Sequence, residues 1–297
     1  MSPQVARGRL GAAYDRTVAA LAVEDPRIVP FPLDDRPAPD GRTLAAAVAM
    51  AGTGKTVFAS GPLAIVAGAE YATVRTQIGP TRASVKIVAR DGGLVGAGDR
   101  AQLLLEDVGV MRGIPGMTVI VPADAPTTEA ATHALATQGG PAYLRLTADE
   151  RPTVTDGSFR LGLAAELRAG SDLTIVALGA MVERALTVAA EFAQVGVSVR
   201  VLDLASVKPF DQAAILRAAR DTGAVLTAEE HGLPTGIGTL VAAVTAENYP
   251  VPVRRVGVPD LFSTADDGAD PFDRLGLSLA RMRDEAWELL RQRGKVQ

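Results

Sequence analysis

Apolar residues fall along this chain in two alternating textures. Short runs at 27–32, 56–60, 84–89, 117–121 and 141–146 have the length and β-branched content of buried strands. Segments with helical spacing lie around and between them, at 5–23, 41–52, 62–77, 102–112 and 126–137. The alternation resumes with strands over 172–178, 198–203, 223–229 and 253–257, and helices over 180–195, 211–220, 235–248 and 275–293. Strands that are apolar on both faces need helices on both sides, so the pattern predicts parallel sheets built from right-handed βαβ units. Residues 147–171 are polar and broken by Pro and Gly, the composition of a connection. The expected fold is α/β, two parallel-sheet domains over 1–150 and 172–297, with a linker over 151–171.

Composition narrows the function classes. Apolar residues make up 47% of the chain, ample for two cores, while aromatics are only 4%. The formal charge of −4, with no basic block, argues against nucleic acid or an anionic membrane surface as a partner. Cysteine is absent, which excludes disulfides, thiolate metal sites and a cysteine nucleophile. The first residues lack the apolar centre of a signal peptide and no run approaches a membrane span, so a cytoplasmic protein is expected.

Two glycine motifs invite nucleotide readings. The stretch Ala49–Thr56 fits a relaxed phosphate loop, but a helix precedes it and a strand follows, the reverse of what phosphate binding needs. A helix end at Gly52 or Gly54 is favoured. Gly236-Ile237-Gly238 opens a helix after a strand but lacks a third glycine, and close packing of helix on strand explains it. Only two histidines exist, His133 within a helix and His231 after Glu229-Glu230 at a strand end. No Ser-His-Asp triad or metal set can be assembled from them, so an organic cofactor or a partner must supply most of any chemistry.

Longer stretches carry a resemblance. VKIVARDGGLVGAGDRAQLLLEDVGVMRGIPGMTVIVPADA (85–125) and PAYLRL (141–146) resemble the pyrimidine-binding domain of transketolases. The portion RDGGLVGAG is most similar to the deoxyxylulose-phosphate synthase branch. VRVLDLASVKPFD (199–211), AEEHGLPTGIGT (228–239) and VGVPDLF (256–262) resemble the transketolase C-terminal domain. The resemblance implies a thiamine-diphosphate system. The GDG…N motif that holds the diphosphate and a divalent metal such as Mg does not occur here. It therefore implies an N-terminal partner subunit that holds both, assembled with this chain as a heterotetramer.

The resemblance also assigns positions. Asp40 falls where the family has the carboxylic acid that bonds the pyrimidine N1′, with a helix N-cap as the alternative role. Ile65 falls near the aromatic that stacks on the pyrimidine, and Gly96, in the glycine loop, is assigned to the cofactor. Gln102 replaces a histidine; it can hydrogen-bond substrate but cannot shuttle a proton. Asp91 stands in place of an arginine of the synthase branch. Ala148 stands where a phosphate-binding arginine is expected, leaving Arg145 and Arg151 as neighbours, of which Arg145 is assigned to substrate.

Scaffold motifs are thus kept while chemical positions are altered. One reading is a working ketol- or acyl-transferring subunit with a non-standard substrate. The other is a catalytically degenerate subunit that acts as a structural or regulatory partner. Gly93, Val95 and Gly96 favour the first, since a loop that permits close backbone approach suits a site.

Overall fold

The computed structural model describes residues 6–34, 42–94, 104–261 and 270–294. Two sheets dominate. The strands are β1 (Arg7–Arg9), β2 (Ile28–Pro32), β3 (Thr56–Pro62), β4 (Val85–Gly92), β5 (Thr118–Ile120), β6 (Ala142–Thr147), β7 (Glu150–Pro152), β8 (Ala165–Arg168), β9 (Leu173–Ala177), β10 (Val199–Asp203), β11 (Ser206–Lys208), β12 (Val225–Gly232) and β13 (Val253–Val258). The first sheet runs β11-β5-β6-β4-β3-β2 and the second β13-β12-β9-β10-β8. Strands β2 to β6 are mutually parallel, as are β9, β10, β12 and β13. Apolar runs buried on both faces account for this arrangement, as in the strand Val85–Gly92 whose first five residues are all buried.

The expectation of βαβ units throughout fails at the sheet edges. Strand β8 pairs antiparallel with β10, and β11 pairs antiparallel with β5. The second of these crosses between domains: β11 follows β10 in the chain yet completes the first sheet. Lys208 fastens the join by donating to the carbonyls of Arg112 and Ile114, each at 2.7 Å. The stretch 151–171 likewise contains strand β8 and most of β7, which pairs with β1.

Helices arise largely where the periodicity places them. The helix expected over 41–52 is shorter, Leu44–Ala51, because Thr43 caps it by accepting from the Ala46 N–H. The helix expected over 102–112 is confined, among described residues, to Asp107–Arg112. The segment after β3 is wound largely in π-type turns, Ala64–Ala69 and Val74–Ile78. No helix among the described residues is long and apolar enough to cross a membrane.

One apolar cluster spans both sheets, joining Val57, Ile87 and Val119 of the first to Val176, Leu202 and Val225 of the second. A shared core of this kind holds domains in a single orientation, unlike the polar contacts of domains that move freely.

Candidate functional site

Ligands of open parallel sheets bind at the carboxyl ends of the strands. In the first sheet those ends are Leu33-Asp34 after β2, Gly61-Pro62 of β3 and Asp91-Gly92 of β4. Leu33 N donates to Ser60 O at 2.8 Å, and a Cβ on Gly61 would lie 3.2 Å from Leu33 Cβ, so glycine lets the two ends approach. Asp34 and Arg42 then clasp one another. Asp34 Oδ2 accepts from Arg42 N at 2.7 Å, Oδ1 accepts from Arg42 Nε at 3.2 Å, and Asp34 N donates to Arg42 O at 3.0 Å. The backbone and side-chain bonds from Arg42 hold the Asp34 carboxyl below its ordinary pKa. Asp40, with Gly96 and Gln102, lies outside the described residues. The capping role weighed for Asp40 is filled by Thr43.

Ile65 is half-buried on the helical segment that leaves β3 at the same edge, close in sequence to the half-buried Pro62. Asp91 is exposed at the end of β4 with φ of 59°, a left-handed conformation that aspartate tolerates better than most residues. These two expected positions therefore share an edge with the Asp34–Arg42 clasp.

Arg145 stands elsewhere. It is fully buried, with Nε 3.1 Å from Asp107 Oδ2 and Nη1 3.0 Å from Glu230 Oε1. Two carboxylates already engage the guanidinium that the resemblance assigned to substrate. Tyr143 donates its hydroxyl to the same Asp107 oxygen. Burial raises the Asp107 pKa despite the opposing charge of Arg145. Burial alone would lower the Arg145 pKa, but Asp107 and Glu230 more than reverse it and keep the guanidinium charged. His231 is buried beside this group, and burial followed by the charge of Arg145 drops its pKa well below the usual range. Its imidazole is neutral.

The glycines of the loop respond to this cluster. A Cβ on Gly92 would lie 3.1 Å from Arg145 Cγ, and one on Gly93 would lie 3.0 Å from Glu230 Oε2. Gly93 also has φ of 95°. Packing against Arg145 and Glu230 thus accounts for both glycines, and Gly93 no longer argues for a catalytic loop.

Glu229 caps the helix Ile237–Asn248. Its carboxylate accepts from Ile237 N at 2.6 Å and Gly238 N at 2.9 Å. Burial pushes its pKa up to about 7, against the pull of those N–H groups. A Cβ on Gly236 would fall 1.9 Å from Glu229 Oε2, so that glycine makes room for a carboxylate. Gly238 serves the close packing expected of it, its Cβ position being 2.8 Å from Thr227 Oγ1 on β12.

The second sheet reverses its strand order on either side of β9, next to β12, which is the usual ligand crevice of such a sheet. Here the first domain fills it. A Cβ on Gly179 would lie 3.1 Å from Val121, and one on Gly109 would lie 2.3 Å from Thr235 Cβ. Arg112 donates to Thr235 O at 2.9 Å and Thr239 Oγ1 at 3.0 Å. The second domain uses its crevice for docking, which leaves the edge at β2, β3 and β4 as the candidate site. Among the described residues no group of three or more His, Asp or Glu could hold a metal ion.

Asp107, Glu229 and Glu230 escaped assignment from sequence. An acidic residue opening a helix has a ready explanation in the helix dipole, and only burial separates Asp107 from that case.

Comparison with known proteins adds an independent line. The family described as Transketolase, C-terminal domain, matches residues 162–279. A 6-deoxy-6-sulfo-D-fructose transketolase subunit from a Clostridium species is 39% identical over 228 residues, covering 75% of this chain and 70% of that protein. An apulose-4-phosphate transketolase subunit from Phocaeicola vulgatus is 34% identical over 247 residues, covering 82% of this chain and 79% of that protein. A solved structure titled as a split gene transketolase, inactive beta4 tetramer, superposes with a TM-score of 0.85 at 32% identity, over 95% of this chain and 98% of that one.

Proposed function

The chain belongs to the transketolase family, and on that premise we propose that it is the C-terminal subunit of a two-component enzyme that transfers a ketol or acyl unit with thiamine diphosphate. The observation that carries this reading is the edge built by β2, β3 and β4. Along it lie the Asp34–Arg42 clasp, the half-buried Ile65 and the exposed Asp91, while the other sheet's crevice is filled.

The residues present fit the pyrimidine half of the cofactor in kind. Half-buried Pro62 and Ile65 offer aliphatic surface to a flat ring, and the Asp34–Arg42 clasp returns the chain to the same edge beside them. Asp40 is the acid that would bond N1′, and Ile65 the apolar support, without the quadrupole attraction an aromatic supplies. When bound, thiamine diphosphate supplies the carbon nucleophile of ketol transfer. Gln102 would orient substrate hydroxyls by hydrogen bonds, and Gly96 would leave room for the cofactor. The diphosphate and its divalent metal fall to the partner subunit.

Asp91 bears on the substrate. A carboxylate where the synthase branch has an arginine repels a phosphate, so a donor without a phosphate near this position is favoured. Arg145, paired through Nε with Asp107 and through Nη1 with Glu230, is a positioning residue in this reading and holds the ends of β4 and β6 against β12.

The explanation of Gly93 by packing is what favours the second reading, a degenerate subunit that only supports its partner. Mixing the chain with its N-terminal partner separates the two. A working subunit gives tight thiamine-diphosphate binding and deuterium exchange at C2, seen by proton NMR, in the mixture but in neither subunit alone. A mixture that associates yet shows no exchange supports the degenerate reading.

A further inference from the structure

A cavity of about 430 Å3 opens between residues 154–167 and the turn after β10. That volume lies in the range of small-molecule pockets. It sits at the β5 side of the first sheet, away from β2 and β3, and nothing about it rests on the transketolase reading. Its walls are pinned. Val154 N and Thr155 N each donate to Asp124 Oδ2 at 2.8 Å, Gly162 N donates to Ser206 Oγ at 2.9 Å, and Ala164 N donates to Asp211 Oδ2 at 3.2 Å. The polar stretch expected as a linker is therefore a built wall.

Asp203 lines this cavity from the end of β10 and is only 2% exposed. The Ala205 N–H supports its carboxyl, yet Oδ1 is buried with no hydrogen-bond partner. Burial, and then the nearby charge of Asp124, push its pKa up to about 8. Asp124 is fully buried, and its own oxygens accept from Thr127 N, Val154 N, Thr155 N and Thr155 Oγ1. A lone buried acceptor next to a second acid calls for a cationic donor, because two neighbouring carboxyls do not both ionise unaided. Glu166 of the wall is already engaged by Arg200, 3.3 Å away, and Asp156 accepts from Ser158 N at 2.9 Å, so Asp203 is the buried acid left open. No set of three acids or imidazoles converges among the described residues, which disfavours a metal ion. Phe159, Leu163 and Leu167 add apolar lining.

We infer that this cavity binds a small primary alkylammonium ligand, its –NH3+ group bonded to the Asp203 carboxyl and its carbon chain against Phe159, Leu163 and Leu167. Binding converts the Asp203 carboxyl to carboxylate and releases one proton to solvent, so charge balances.

Isothermal titration of the full chain at neutral pH tests this, with n-butylammonium chloride as the probe and n-butanol as its uncharged match at equal ionic strength. Saturable binding of the ammonium alone is expected, with a heat that differs between phosphate and Tris buffers because a proton is released. Asp203→Asn should weaken binding about tenfold or more and abolish the buffer dependence. Leu163→Trp narrows the cavity from a wall position that is not paired with Asp203 and should also weaken binding. Should Asp203→Asn fail to fold, Leu163→Trp and the buffer dependence decide. Absence of saturable heat, equal binding of butanol, or unchanged binding by Asp203→Asn would each overturn the inference.

Discussion

Arg145 Nη1 and Glu230 Oε1 meet 3.0 Å apart across the boundary between the two sheets, and neither side chain has any exposure. Their partners extend the contact. Asp107 binds the same guanidinium, and Gly93 is small because Glu230 lies against it. The ends of β4, β6 and β12 are thereby tied at one point behind the candidate edge.

Breaking this tie from one side strands a buried charge. Arg145→Met should lower stability by about 3–5 kcal/mol, read from urea unfolding, because Asp107 and Glu230 lose their counter-ion. A substrate-contacting arginine would behave differently, with KM rising and the unfolding midpoint unmoved.

The raised carboxyls set a pH dependence of stability. Glu229 moves from 4.5 to about 7 on folding, and Asp203 from 3.8 to about 8. A folded state that holds protons more tightly gains stability at low pH and loses it as pH rises through the folded values. Stability should therefore decline between about pH 5 and 8, by up to about 1.4 kcal/mol per pH unit for each group. Glu229→Gln should flatten the part of that decline below about pH 7, as measured by denaturant midpoints across the range. An unchanged slope would show that Glu229 does not titrate there.

Gly236 and Gly54 make a contrasting pair. Alanine at 236 places Cβ 1.9 Å from the Glu229 carboxylate, whereas at 54 nothing lies within 4 Å and only φ of 86° opposes it. Gly236→Ala should cost about 3 kcal/mol and Gly54→Ala about 1 kcal/mol, by thermal or urea unfolding. Equal losses would contradict the cap by Glu229.

Asp40 can be separated from helix capping, because Thr43 holds that position. Asp40→Asn should leave stability within about 0.5 kcal/mol, as surface changes away from caps do. The same change should abolish C2 exchange in the mixture with the partner. Thr43→Ala should show the converse, a loss of about 1 kcal/mol with exchange retained.

Much of the fold was legible because it is local. Runs such as 84–89 are apolar on both faces and mark parallel strands without reference to any partner. Strand β11 was not legible, since three residues are too short to show a period and its partner Ile120 lies far away in the chain. At the site, Ile65 and Asp91 lie along one edge, while Asp40, Gly96 and Gln102 fall outside the described residues. The setting of Arg145 was not legible, since it depends on Glu230, 85 residues away.

The sequence by itself determined the parallel α/β architecture and the family, because hydrophobic period and motif order are properties of neighbouring residues. Tertiary structure alone decided which charges are available. Burial turned Arg145, Asp107 and Glu230 inward as a tie between domains, left Asp203 facing a cavity with an unpaired oxygen, and kept Asp91 at the open edge. A charged side chain has the same letter whether it faces water or a carboxylate, and only packing distinguishes the two.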